Sequence, residues 1–103
     1  MSSLAEIQFN YEKAIKQANQ LDGIASRLTK AADNTLEGIM NDVHSAWKSD
    51  SAGGYLQKGR KVGQDMKTTA GNLRNIAAAI RTIAARVREA ELAAWRIANG
   101  RVL

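Results

Sequence analysis

The sequence predicts an all-α protein: an antiparallel helix-turn-helix hairpin that pairs into a four-helix bundle dimer. Three observations carry this reading. The 103 residues contain no proline. Apolar and small residues recur at spacings of three and four along two long stretches, the pattern of one face of a helix. The single cluster of helix breakers lies between those stretches, near the middle of the chain.

The first helix is expected over about residues 4–47. A Ser-x-x-Glu capping box, Ser3 to Glu6, opens it, since the hydroxyl and the carboxylate can each satisfy a free backbone N–H. Its inward stripe reads Leu4, Ile7, Tyr11, Ala14, Ala18, Leu21, Ala25, Leu28, Ala32 and Ile39, with Leu36, Met40, Val43 and Trp47 on an adjoining stripe. Gly23 and Gly38 weaken the helix by about 1 kcal/mol each relative to alanine and are candidate points of close packing.

The turn is expected over about residues 48–53, within Lys48-Ser49-Asp50-Ser51-Ala52-Gly53-Gly54, where Asp50 or Ser51 can cap the next helix. The second helix, about residues 54–98, carries the clearer stripe: Val62, Met66, Thr69, Leu73, Ile76, Ile80, Ile83, Val87, Ala90, Ala94 and Ile97. Asn99-Gly100 is a natural stop, because glycine adopts the left-handed conformation of a C-terminal cap. Each helix would be roughly 60 Å long at 1.5 Å per residue. The whole chain reads as one domain.

Composition narrows the function. Apolar residues make up 45% of the chain but aromatic ones only 5%, so an aromatic-rich globular core is not expected. One hairpin offers a single seam for hydrophobic burial and should be marginal alone, which argues for dimerisation. There is no cysteine, and His44 is the only histidine, so neither a metal centre nor another cofactor is expected. No apolar window reaches the length of a membrane span. The amino terminus lacks the basic start and apolar run of a cleavable signal peptide. No nucleophile with base and orienter stands out, nor a phosphate-cradling glycine loop. The chain is therefore not expected to be an enzyme or to have a small-molecule substrate.

The net charge of +5 is uneven. Residues 1–55 carry five Lys/Arg against seven Asp/Glu, and residues 56–103 carry ten against three. Arg60, Lys67, Arg74, Arg81 and Arg88 recur every seven residues as a ridge beside the apolar stripe. A solvated face, partly balanced by Glu12, Asp22, Asp33 and Glu37, is the first reading of this ridge. A track for an acidic partner helix is the second. Nucleic acid comes behind, because no aromatic residues interleave with the cations to stack on bases. Gly59 and Gly63 permit close helix approach, although loose packing near the turn is the primary expectation. Tyr11 and Tyr55 are expected at opposite ends of the seam.

The segment His44-Ser45-Ala46-Trp47-Lys48-Ser49-Asp50-Ser51-Ala52-Gly53-Gly54-Tyr55, in a chain of this length and topology, resembles the WxG family of ESAT-like proteins. Trp47 matches the tryptophan of that motif, Ser49 stands where the family has glycine, and Asp50-Ser51-Ala52 is similar to its usual continuation. The resemblance implies export by a bacterial type VII system through its membrane ATPase, as a leaderless protein that is cytoplasmic before export and extracellular after it. It also implies pairing, either as a homodimer or with a related helical protein or the amino-terminal domain of a toxin. The family's second signal, an aromatic residue with an acid four positions later, has no match here. Trp95 and Asn99 supply the ring and the spacing without the charge.

The expected function is thus a non-enzymatic type VII secretion substrate or secretion partner acting through helix pairing. Its site is the turn motif Trp47, Ser49 and Asp50, together with a pairing seam of Leu21, Leu28, Ile39, Val62, Met66, Leu73, Ile76, Ile80, Ile83, Val87 and Ile97. The alternatives are a cytosolic nucleic-acid-binding helical protein and a structural coiled-coil adaptor.

Overall fold

A computed structural model describes residues 3–46 and 50–100, and for Asp50, Ser51 and Ala52 it describes the backbone only. Every element is helical: α1 over Leu4–Lys30, a π-helical turn over Ala31–Leu36, α2 over Glu37–Ala46, and α3 over Asp50–Gly100. No strand occurs among the described residues.

The start of α1 follows from its cap. The Glu6 N–H donates to the Ser3 hydroxyl at 3.1 Å, and the Ile7 N–H donates to the Ser3 carbonyl at 3.0 Å. Thus one of the free donors of the first turn is satisfied by the cap, and the Ser3 carbonyl accepts the first bond of the helix. The helix then runs without a break in helical backbone angles into the π turn, whose flanking residues stay right-handed (φ −63° at Lys30, −65° at Glu37). The periodic stripe identifies the helical arm, but it does not contain the π turn.

Two boundaries differ from expectation. α3 begins at Asp50, so Gly53 and Gly54 lie inside a helix that tertiary packing can sustain despite their poor propensity. At the far end Gly100 is still helical, and no described glycine has a positive φ, so there is no left-handed cap there. The Asn99 Nδ2 donates to the Trp95 carbonyl at 2.8 Å, one turn back along the helix.

The contacts divide the chain into two units. The first joins the residues up to Leu21 to those from Asn75 onward. Its two arms are antiparallel, because Tyr11 meets Arg88 whereas Asn19 meets Arg81. Ile7, Ala18 and Ala77 are its covered core. The second unit spans Asp22–Arg74. Its arms are antiparallel by the same criterion, with Thr29 against Arg74, Asp33 against Lys67, and Met40 against Gly59. Ala25, Ala32 and Ala70 are buried in it.

Alanine therefore occupies the covered line in both units, beside the pairing seam expected from the sequence. Of the residues assigned to it, Leu21, Leu28, Met66, Leu73 and Ile80 are half-buried, while Ile39, Val62, Ile76, Ile83, Val87 and Ile97 are exposed. The line that faces inward on α3 is Leu56, Gly63, Ala70, Ala77 and Ala84, again at a spacing of seven but displaced from the line of isoleucines. Small side chains at such a line allow two helices to approach closely within the usual range of about 8–10 Å. Wide contact between helices then replaces the burial of a few large groups.

The glycines fall into two kinds. A Cβ on Gly59 would overlap the Sδ and Cε of Met40, and one on Gly63 would sit 3.3 Å from the Leu36 Cδ2. This pair is a notch filled by the opposite arm, a tight contact where loose packing was expected. Gly38 has nothing within 4 Å of its Cβ position and Gly23 only the Arg27 side chain, so neither marks close packing.

Candidate functional site

The feature of the first unit that requires an explanation is the apolar flank of α3. Moving around the helix from the buried Ala77 line, one meets half-buried Ile80, then Val87, Ile76 and Ile83, and the last three are about half exposed or more. Ile83 is 58% exposed and Ile97 60%. With Ile7, Tyr11 and Ala14 of α1, the residues Ile80, Ile83 and Val87 line a shallow groove of about 280 Å³. No charged residue is buried among the described residues. A row of exposed isoleucines at heptad spacing is an apolar surface that water solvates poorly, and such rows mark interaction sites.

The cationic ridge lies on the other side of the seam, as its numbering requires. Arg81 and Arg88 each follow a flank residue by one position, and Arg74 follows half-buried Leu73 in the same way; one position is about 100° of rotation. In the second unit the Lys67 Nζ forms an ion pair with Asp33, and the Arg74 Nη2 donates to the Thr29 hydroxyl at 3.3 Å. In the first unit the Arg81 Nη2 donates to the Asn19 Oδ1 at 2.8 Å, and the Arg88 guanidinium stands 3.8 Å from the centre of the Tyr11 ring. Arg60 lines a second depression, of about 240 Å³, beside Met40 and Gly59. Four of the ridge cations thus reach across to the opposite arm, on Asp33, Thr29, Asn19 and Tyr11. Of the acids expected to balance the ridge, Asp33 is placed on it by an ion pair.

That pair has an electrostatic signature. The Lys67 amine is held above its ordinary value of 10.5, first by its hydrogen bond to Asp33 and then by the charge of the same carboxylate. Both partners remain about half exposed, so solvent screens the interaction.

The turn residues Trp47 and Ser49 lie outside the described residues, and Asp50 is described only as the first residue of α3. Trp95 is half-buried, with Asn99 bonded back to its carbonyl. Tyr11 packs on the seam under Arg88, and Tyr55 is 56% exposed. His44 is exposed. Among the described residues there is no group of three or more His, Cys, Asp or Glu placed to hold a metal ion, and no helix is long and apolar enough to cross a membrane.

The sequence places the isoleucine line on one helix face and assigns that face to helix pairing, without separating pairing within the hairpin from pairing with a second one. The signal that separates the two was present: the neighbouring line of small residues at positions 63, 70, 77 and 84. Comparison with models of known protein families, with curated proteins and with solved structures finds no match to this chain.

Proposed function

We propose that this chain is a non-enzymatic substrate or export partner of a bacterial type VII secretion system, and that it works by pairing its helices with a second helical hairpin, in the simplest case another copy of itself. The observation that carries the pairing is the exposed row Ile76, Ile83, Val87 and Ile97 beside a seam made of alanine. An alanine seam removes little apolar area from water, and covering the isoleucine row removes much more. Charge placement supports a like partner. The chain carries +5, yet its heptad-spaced cations lie around the helix from the row, so two copies meeting there do not bring those ridges together.

The export part of the reading rests on the resemblance of Trp47-Lys48-Ser49-Asp50 to the WxG turn, and the pairing part on the flank. Two measurements address them separately. The intact chain is quantified by mass spectrometry in the medium of its native bacterium, with and without the secretion ATPase, alongside a cytosolic enzyme as a lysis control. Accumulation outside only with the ATPase is the expected result. Retention inside while a known substrate leaves the same cells overturns the export reading. Sedimentation of the purified chain and of Ile83→Lys tests pairing. The native chain should sediment as a dimer and the variant as a helical monomer. A native chain that stays monomeric at high micromolar concentration removes self-pairing and leaves a different helical protein, such as a toxin domain, as the partner to seek by co-purification.

A further inference from the structure

We propose that the π turn at Ala31–Leu36 is one of two registers available to this arm of the second unit, and that the chain exchanges Met40 and Ile39 in the notch at Gly59 by moving between them. Two adjacent apolar residues compete for one seat. The α-helical spacing of the buried alanines, Ala18, Ala25 and Ala32, continues to Ile39. The π turn adds one residue to the arm, and it is Met40 that lies on Gly59 while Ile39 is 53% exposed.

The change requires no refolding. Residues Lys30 and Glu37 on either side of the turn already have right-handed helical angles. Re-pairing the backbone of the six-residue segment from i→i+5 to i→i+4 hydrogen bonds turns α2 by about 100°. The surplus residue then passes toward the carboxyl end of α2. The π register has two supports that the structure displays: the ion pair from Asp33 to Lys67 and the fit of Leu36 against Gly63. Against them stands the general rarity of π turns, which occur mostly as single turns inside α-helices. The first support is exposed and screened by salt, so ionic strength and any ligand for Lys67 bias the exchange. The outcome is a change of surface on α2, with Ile39 outward in one register and Met40 outward in the other.

The absence of cysteine makes the test direct. Two double variants are made, Met40→Cys with Gly59→Cys and Ile39→Cys with Gly59→Cys, each in the full chain and in the same chain with Asn34 deleted. Deletion of Asn34 removes the surplus residue and keeps position 40 on the seam in an unbroken α-helix. Under mild oxidation both pairs should form a disulfide in the full-length background, and only the 40/59 pair in the deletion. Adding Lys67→Gln should raise the yield of the 39/59 pair. Equal and negligible 39/59 yields in the two backgrounds overturn the proposal. Because the cysteines replace the competing side chains, relaxation dispersion on the unsubstituted chain supplies the second readout. Amides of residues 31–46 should report exchange with a register populated at roughly 1–10%, and that exchange should vanish on deletion of Asn34. Flat profiles in the unsubstituted chain overturn the proposal as well.

Discussion

Enlarging a buried alanine should harm this protein more than shaving an exposed isoleucine, and the pair Ala77→Leu and Ile83→Ala tests the reasoning. Ala77 has no exposed surface, and it lies on the covered line of small residues that faces the opposite arm. Leucine adds three carbons for which that line has no room. Their burial would be worth about 0.8 kcal/mol per methylene if space existed. Here the arms must part instead, and overpacking of this kind costs about 1–3 kcal/mol. For a chain of this size, about 1 kcal/mol corresponds to roughly 4–8 °C in Tm, so Ala77→Leu should lower Tm by about 4–24 °C. Ile83 is 58% exposed, and alanine is the better helix former, so Ile83→Ala should cost a monomer less than about 1 kcal/mol. Thermal melts followed by circular dichroism, at concentrations below any self-association, give both numbers. A neutral Ala77→Leu beside an Ile83→Ala that loses several kcal/mol would refute the alanine seam. The isoleucine line would then face inward, as periodicity alone suggests.

Further expectations follow from the cross-arm contacts. The raised amine of Lys67 means that its contribution is complete below its unfolded value of 10.5 and is lost as pH rises through the higher folded value. The stability difference between the native chain and Lys67→Gln should therefore be constant through neutral pH and shrink only above about 10.5 in denaturant titrations, whereas a difference that disappears near pH 7 contradicts the assignment. A double-mutant cycle of Tyr11→Leu and Arg88→Gln should return a coupling of about 0.5–1 kcal/mol, and additivity within error would mean that the stacked guanidinium contributes nothing. Ser3→Ala should cost about 0.5–2 kcal/mol through the bond to the Glu6 N–H, read as increased fraying of the first turn by amide hydrogen exchange.

Much of this protein is legible without a structure. The absence of proline, the three-four periodicity and the Ser3 cap together fix two long helical arms, because helix formation depends on local spacing and on end groups. The grouping of Ala18, Ala25 and Ala32 on one line is equally a matter of counting. Heptad spacing also places Ile76, Ile83 and Ile97 on one face of α3. What counting does not supply is the direction that face points. α3 carries two adjacent lines with the same period, one of bulky residues and one of small ones, and hydrophobicity alone favours the bulky line as the seam. Close contact between backbones favours the small one, and this preference exists only when the second arm is present. The same holds for Gly59 and Gly63, whose missing side chains acquire meaning only from Met40 and Leu36 on the opposite arm, and for the π turn that puts Met40 there. The ridge was visible as a repeat of positive charge, yet its engagement with Asn19, Thr29, Asp33 and Tyr11 depends on how the arms are aligned. Local sequence therefore determined the helices and their faces. Tertiary packing decided which face each helix gives to its own partner arm, because that choice is set by how closely two backbones can approach.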